Sequence, residues 1–187
     1  MSPLLAAADE PSTLLAIFGL LAVPLLVAVN GFFVATEFAL VAIRRTRVEE
    51  LANQGVPGAK SLMHAISDLN RSVAACQLGI TVASLALGFV SEPALAALVK
   101  PLFASFPAEW QGPVTRACSI VLTLAIITYL HVVFGEQMPK IAALQESERI
   151  GLWVARPINV FARVTGPLIR LMNGSSAWFL RRLGYKT

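Results

Sequence analysis

The run LLAIFGLLAVPLLVAVNGFFVATEFALVAI, Leu14 to Ile43, decides the fold class. It is thirty residues long, holds no Lys or Arg, and has one acid, Glu37. A bilayer crossing needs about 20 mostly apolar residues. A secretory leader would begin with cations and have a shorter apolar core. Here the first thirteen residues carry Asp9 and Glu10 and no cation. The run is therefore read as a retained membrane span, with Pro24 and Gly31 as points of kinking or close packing.

Two further stretches are read the same way. Ser72–Ser91 is twenty uncharged residues, and Ala117–Gly135 is nineteen, with His131 inside. The whole chain of 187 residues is 56% hydrophobic and 14% charged, with a mean hydropathy of +0.70. A soluble domain has about 45–50% apolar and about 25% charged residues. That excess excludes a disordered chain and argues against a soluble enzyme. Cys76 and Cys118 lie in apolar runs and are expected to be free and buried, since two cysteines make no disulfide framework.

Charge sets the expected orientation. Thirteen of the fifteen Lys and Arg fall either between the first two spans or after the third. Cations concentrate on the cytoplasmic side. The N-terminus, residues 1–13, is thus expected outside and the C-terminus in the cytoplasm of a multi-pass cell-membrane protein. The three-span domain covers 14–140. Its cytoplasmic segment 44–70 is expected to be a helical hairpin: a helix over Arg47–Asn53, a break at Gly55-Val56-Pro57-Gly58, and a second helix over Ala59–Ile66. The external segment, with Pro93, Pro101, Pro107 and Pro113, is expected to be a turn-rich loop. Residues 141–187 are read as a basic amphipathic belt, because Arg149, Arg156, Arg163 and Arg170 recur every seven residues among apolar ones. Such helices suit a lipid interface better than nucleic acid. Pro157 and Pro167 are expected to divide them.

Ionisable and polar groups inside spans are functional candidates. Glu37 shares a helical face with Asn30; it either serves a site or is satisfied by a hydrogen bond or ion pair near the interface. Gln77, Thr81, Ser84, Gly88 and Ser91 form a polar stripe, fit for helix packing or for ion passage. The third span ends in Gly135-Glu136-Gln137-Met138-Pro139-Lys140. Pro139 has no N–H for the carbonyl four residues earlier, that of Gly135. The helix is expected to break there and free that carbonyl beside the Glu136 carboxylate. Carbonyl plus carboxylate is half of a site for a hard cation; Mg2+ takes oxygen ligands at about 2.1 Å. The competing reading pairs Glu136 with Lys140 at a helix end. Thr128, His131 and Gly135 share a face, and a lone histidine there points first to a hydrogen bond. No metalloprotease, serine-hydrolase or nucleotide-binding P-loop motif occurs, so the chain is not expected to be an enzyme.

Three segments resemble the transmembrane domain of the CorC / cyclin-M (CNNM) family, the "hemolysin-like" CorC/HlyC proteins: Asn30-Gly31-Phe32-Phe33-Val34-Ala35-Thr36-Glu37, Gln77-Leu78-Gly79-Ile80-Thr81-Val82-Ala83-Ser84-Leu85, and Gly135-Glu136-Gln137-Met138-Pro139-Lys140. The resemblance implies an all-α integral membrane fold with three spans and cytoplasmic juxtamembrane amphipathic helices, dimeric. It implies a membrane cation transporter exporting Mg2+ by alternating access, with Na+ as a coupling ion. It carries the Mg2+ site onto Thr36, Ser84, the Gly135 carbonyl and Glu136, with Glu37 in support. Its other implied partners are a second copy, the lipid bilayer, and cytoplasmic CBS modules of the same full-length chain beyond residue 187; nucleic acid is not among them. This sequence departs from the family at Val34, where serine is frequent, and at Ile80 and Ser84, where asparagine is. Fewer oxygen ligands leave two alternatives: export of another cation such as a polyamine, or a non-transporting, ion-sensing anchor for those modules.

Overall fold

A computed structural model describes residues 13–104 and 113–184. The expectations on residues 1–12, on the loop around Pro107 and on Lys186 lie outside them. Among the described residues every regular element is helical: α1 (Thr13–Ala42), α2 (Arg45–Asn53), α3 (Ala59–Ser67), α4 (Leu69–Ala104), α5 (Pro113–Leu130), a π-helical segment (His131–Gln137), α6 (Met138–Gln145), α7 (Ser147–Val164) and α8 (Gly166–Arg182). Three stretches are long and apolar enough to cross a membrane: Leu21–Ala42, Leu69–Ser91 and Ile120–Gln145. The all-α, three-span reading of the sequence stands.

Proline explains most of the differences from expectation. The turn-rich loop is absent where it is described, because α4 runs through Pro93 and Pro101 to Ala104. In apolar surroundings a helix that keeps its remaining bonds costs less than exposed loop backbone. Pro113 instead opens α5, where a missing N–H costs nothing. Pro157 lies inside α7 and does not end it; the division comes at Thr165, and Pro167 sits in the first turn of α8.

The chain divides into two units. One holds Gly31–Thr81 and Gln137–Thr187. Its short helices form as expected: Gly55 and Gly58 both have positive φ (74° and 91°) and separate α2 from α3. The amphipathic faces of α2, α3 and α7 then meet. Val48, Leu62, Ala65, Ala155, Ile158 and Ala162 pack with Phe33 and Leu40 of α1. On α7 the buried positions 151, 154, 155, 158 and 162 follow the three-and-four spacing of one helical stripe. Gly151 lets Leu62 approach, since a Cβ there would stand 3.3 Å from the Leu62 side chain. Polar ties complete the unit. Asn159 Nδ2 donates to the Ser61 carbonyl at 2.8 Å, and Arg47 grips Glu148 with two nitrogens at 2.9 and 3.3 Å. That guanidinium holds the Glu148 carboxyl below its ordinary value of 4.5.

The other unit holds Met1–Asn30 and Val82–Glu136. Its described core is small: Val23, Val27, Leu87 and Ile127, with Leu26 against them. Phe89, Leu85, Val121 and Tyr129 are exposed on its helices. Cys118 is exposed as well, which corrects the expectation of two buried cysteines; both are free, and only Cys76 is covered. A cysteine in a span facing outward meets lipid as readily as core, so an apolar setting did not require burial within the chain.

Candidate functional site

The third span contains the main surprise. The sequence predicts a break at Pro139. The chain instead winds through His131–Gln137 as a π-helix and continues directly into α6, with Pro139 in the first turn of α6. A π segment bonds each amide five residues back and inserts an extra residue per turn; such segments concentrate at functional sites. Wider winding lets the helix pass a residue that cannot donate without parting.

The Gly135 carbonyl is not bare. Asn30 Nδ2 donates to it at 2.9 Å, across 105 residues of sequence. Asn30 is fully buried. Its Oδ1 accepts from the Ser84 hydroxyl at 3.2 Å, and Ser84 Oγ lies 3.4 Å from His131 Nε2. Glu136 Oε1 is 3.7 Å from the same Nε2, beyond hydrogen-bond length, and its side chain is 42% exposed. Gly135 has no room for a side chain: a Cβ would lie 2.8 Å from His131 Cδ2 and 3.3 Å from Asn30 Nδ2. Glycine at this position is what admits the Asn30 amide.

Of the five residues predicted to hold a cation, Ser84 and Gly135 are joined through Asn30, and Glu136 is the next residue along. Thr36 and Glu37 belong to the other unit. There, Thr36 is fully buried and its hydroxyl donates to the Phe32 carbonyl at 2.7 Å. Glu37 is half-buried, with the Gln77 side chain as polar partner. Gln77 and Thr81 of the polar stripe are exposed, and nothing stands within 4 Å of where a Gly88 Cβ would be. Lys140 places its ammonium over the Phe38 ring, 4.7 Å from the centroid. Among the described residues no three His, Cys, Asp or Glu side chains gather; the predicted set has two acids and otherwise neutral oxygens.

Sequence reasoning ranked Asn30 and His131 too low. The signal for Asn30 was present. A primary amide in an apolar span must find a partner, and Pro139 leaves a carbonyl in need of a donor. Pairing those two needs points to their contact.

Comparison with known proteins fits this architecture. The family model for the cyclin M transmembrane N-terminal domain matches residues 20–187. The chain is 36% identical over 169 residues to UPF0053 protein YugS of Bacillus subtilis, covering 90% of this chain and 39% of that one. It is 40% identical over 162 residues to UPF0053 protein YrkA of the same organism, covering 87% and 37%. The chain thus spans about two-fifths of the length of these curated relatives.

Proposed function

Because the chain belongs to the cyclin M transmembrane-domain family, a multi-pass membrane family, we propose that it forms the ion pathway of a cation transporter whose substrate is Mg2+, carried out of the cell by a dimer working in alternating access. The observation that carries this reading is the π-wound end of the third span. It sets a buried peptide carbonyl, that of Gly135, next to the partly exposed carboxylate of Glu136. Hard cations of Mg2+ type prefer such oxygens and keep some of their water. The hydroxyls support it too. Ser84 and Thr36 each spend their single proton elsewhere, on Asn30 and on the Phe32 carbonyl. The Ser84 oxygen therefore keeps a lone pair for an approaching group, while Thr36, fully buried, is carried by the family resemblance. Glu37 adds a second acid near Thr36, and Na+ entry would weaken the oxygen cage and release the cargo. The distribution of cations supports an orientation with both the 44–70 hairpin and the C-terminal helices in the cytoplasm. On this reading the chain works as a transporter, and no chemical step is assigned to it.

The test uses full-length protein in proteoliposomes loaded with Mg2+. Glu136→Gln is expected to abolish efflux while the protein remains folded. Efflux at the wild-type rate would reject the assignment. Mg2+ binding without any flux from the wild type would favour an ion-sensing anchor instead.

A further inference from the structure

The hydrogen bonds around Gly135 have a direction that chemistry fixes. A peptide carbonyl only accepts, so the end of the Asn30 amide facing it must be the NH2. Oδ1 is then turned to Ser84 and only accepts, so the Ser84 hydroxyl must donate to it. That spends the hydroxyl's one proton. His131 Nε2, facing the same oxygen, must therefore carry a hydrogen and donate. The result is a one-way chain, from His131 Nε2 to Ser84 Oγ (3.4 Å), from Ser84 Oγ to Asn30 Oδ1 (3.2 Å), and from Asn30 Nδ2 to Gly135 O (2.9 Å). Its last link is the important one. The NH2 of a fully buried asparagine occupies one of the two lone-pair directions by which a cation could reach the carbonyl.

An amide is unusual in that its two ends have nearly the same shape and opposite hydrogen-bonding character. A half-turn about the last side-chain bond needs no extra space, and it replaces two donor hydrogens by an acceptor oxygen. Gly135 and Asn30 are packed closely enough for this to matter, since even a Cβ on Gly135 would crowd the amide nitrogen.

We propose that Asn30 is the ligand switch of this site. With its NH2 on the Gly135 carbonyl it closes the site; with Oδ1 turned toward that carbonyl it becomes a further neutral oxygen for the cation. The proposal rests on the reading of Gly135 and Glu136 as a cation site. The half-turn also presents the NH2 to Ser84, whose oxygen has two lone pairs and then accepts from Asn30 as well as from His131, leaving its own proton free to turn away. The same residue competes with the ion in one state and holds it in the other. Affinity is accordingly lowered by the fraction of molecules in the closed state.

The experiment compares Mg2+ binding by calorimetry and Mg2+ efflux for full-length wild type, Asn30→Asp and Glu136→Gln in lipid nanodiscs and proteoliposomes. Asn30→Asp keeps the shape, removes the competing NH2 and supplies a charged oxygen. It is expected to tighten Mg2+ binding by about tenfold or more and to slow efflux, because release becomes limiting. Unchanged or weaker binding by a folded Asn30→Asp protein overturns the switch. Should that variant not fold, a structure of the wild type with Mg2+ bound decides. The switch predicts that Asn30 no longer donates to Gly135 and turns its oxygen to the ion. An ion bound with the Asn30–Gly135 bond intact overturns it. The Glu136→Gln arm separates the two ideas: if the wild type binds no Mg2+, or binds it equally without the Glu136 carboxylate, the site reading itself fails. If Glu136→Gln loses binding while Asn30→Asp matches the wild type, only the switch fails.

Discussion

In the unit built from residues 31–81 and 137–187, Leu62, Val154 and Ile158 are wholly covered by their own chain, and three short helices share one apolar interior. In the unit built from residues 1–30 and 82–136, Phe89 is 82% exposed, Leu85 60% and Val121 67%. There the best-covered groups include a polar one, Asn30. The two units follow the same rule under different surroundings. Both leave large apolar side chains outside, Trp153 and Phe179 in the first as Phe89 and Val121 in the second; what differs is that the first also encloses a broad shared interior and the second, among its described residues, a small one. Inside apolar surroundings a polar network is high-stakes, because each unpaired group loses its bonds with nothing in return. The first unit adds its polar ties to a broad apolar interior, and the second sets its directed hydrogen bonds beside a small one.

The largest test of that contrast is Leu62→Ala. It removes a fully buried side chain from the centre of the packed unit, and such truncations cost about 2–5 kcal/mol. Denaturation of the detergent-solubilised protein should show a loss of that size; an unchanged midpoint would mean that the interior is not shared by α3 and α7. Next comes Gly58→Ala. The position has φ of +91°, and an added Cβ would lie 2.8 Å from the Leu152 carbonyl oxygen, which as backbone cannot swing away. Strain at such a position costs about 1–3 kcal/mol, and the α2–α3 turn should lose proteolytic protection. Phe89→Ala takes a large side chain from the other unit and is expected to change unfolding by about 0.5 kcal/mol or less, since it leaves no cavity in its own chain. A loss comparable with that of Leu62→Ala would show that a second copy packs over Phe89, and would move the boundary between the two regimes.

The smallest expected effect is on pH dependence. Arg47 holds Glu148 below the usual carboxylate value of 4.5. A depressed acid stabilises the fold above its unfolded pKa and loses that contribution as pH falls through the folded one. Both groups are partly exposed, so salt screens the pair. Glu148→Gln should therefore be slightly less stable than wild type at neutral pH and low salt. The difference should close below about pH 4.5. A gap that persists in acid would give Glu148 a packing role instead.

Much of this was legible in the sequence. The three spans, the α2–α3 hairpin with its glycine turn and the seven-residue arginine period are local patterns, and the helices formed where those patterns lie. Pro139 was rightly singled out as a place where the helix loses a bond, but a single sequence does not say how a chain absorbs that loss. It did so by widening to a π-helix and borrowing the Asn30 amide. Pro93, Pro101 and Pro157 were read as breakers and lie inside helices, because neighbouring residues decide whether a missing N–H ends a helix or is tolerated.

Hydropathy adds up along a stretch of neighbouring residues, so the sequence alone determined that this chain has three helices long and apolar enough to cross a membrane. Which donor satisfies Gly135 was settled only by tertiary structure. The partner comes from another helix, 105 residues away, and the requirement that buried polar groups be paired states a demand without naming who meets it. Residue spacing supplied the carbonyl and the carboxylate, and three-dimensional packing supplied the amide that stands over the carbonyl.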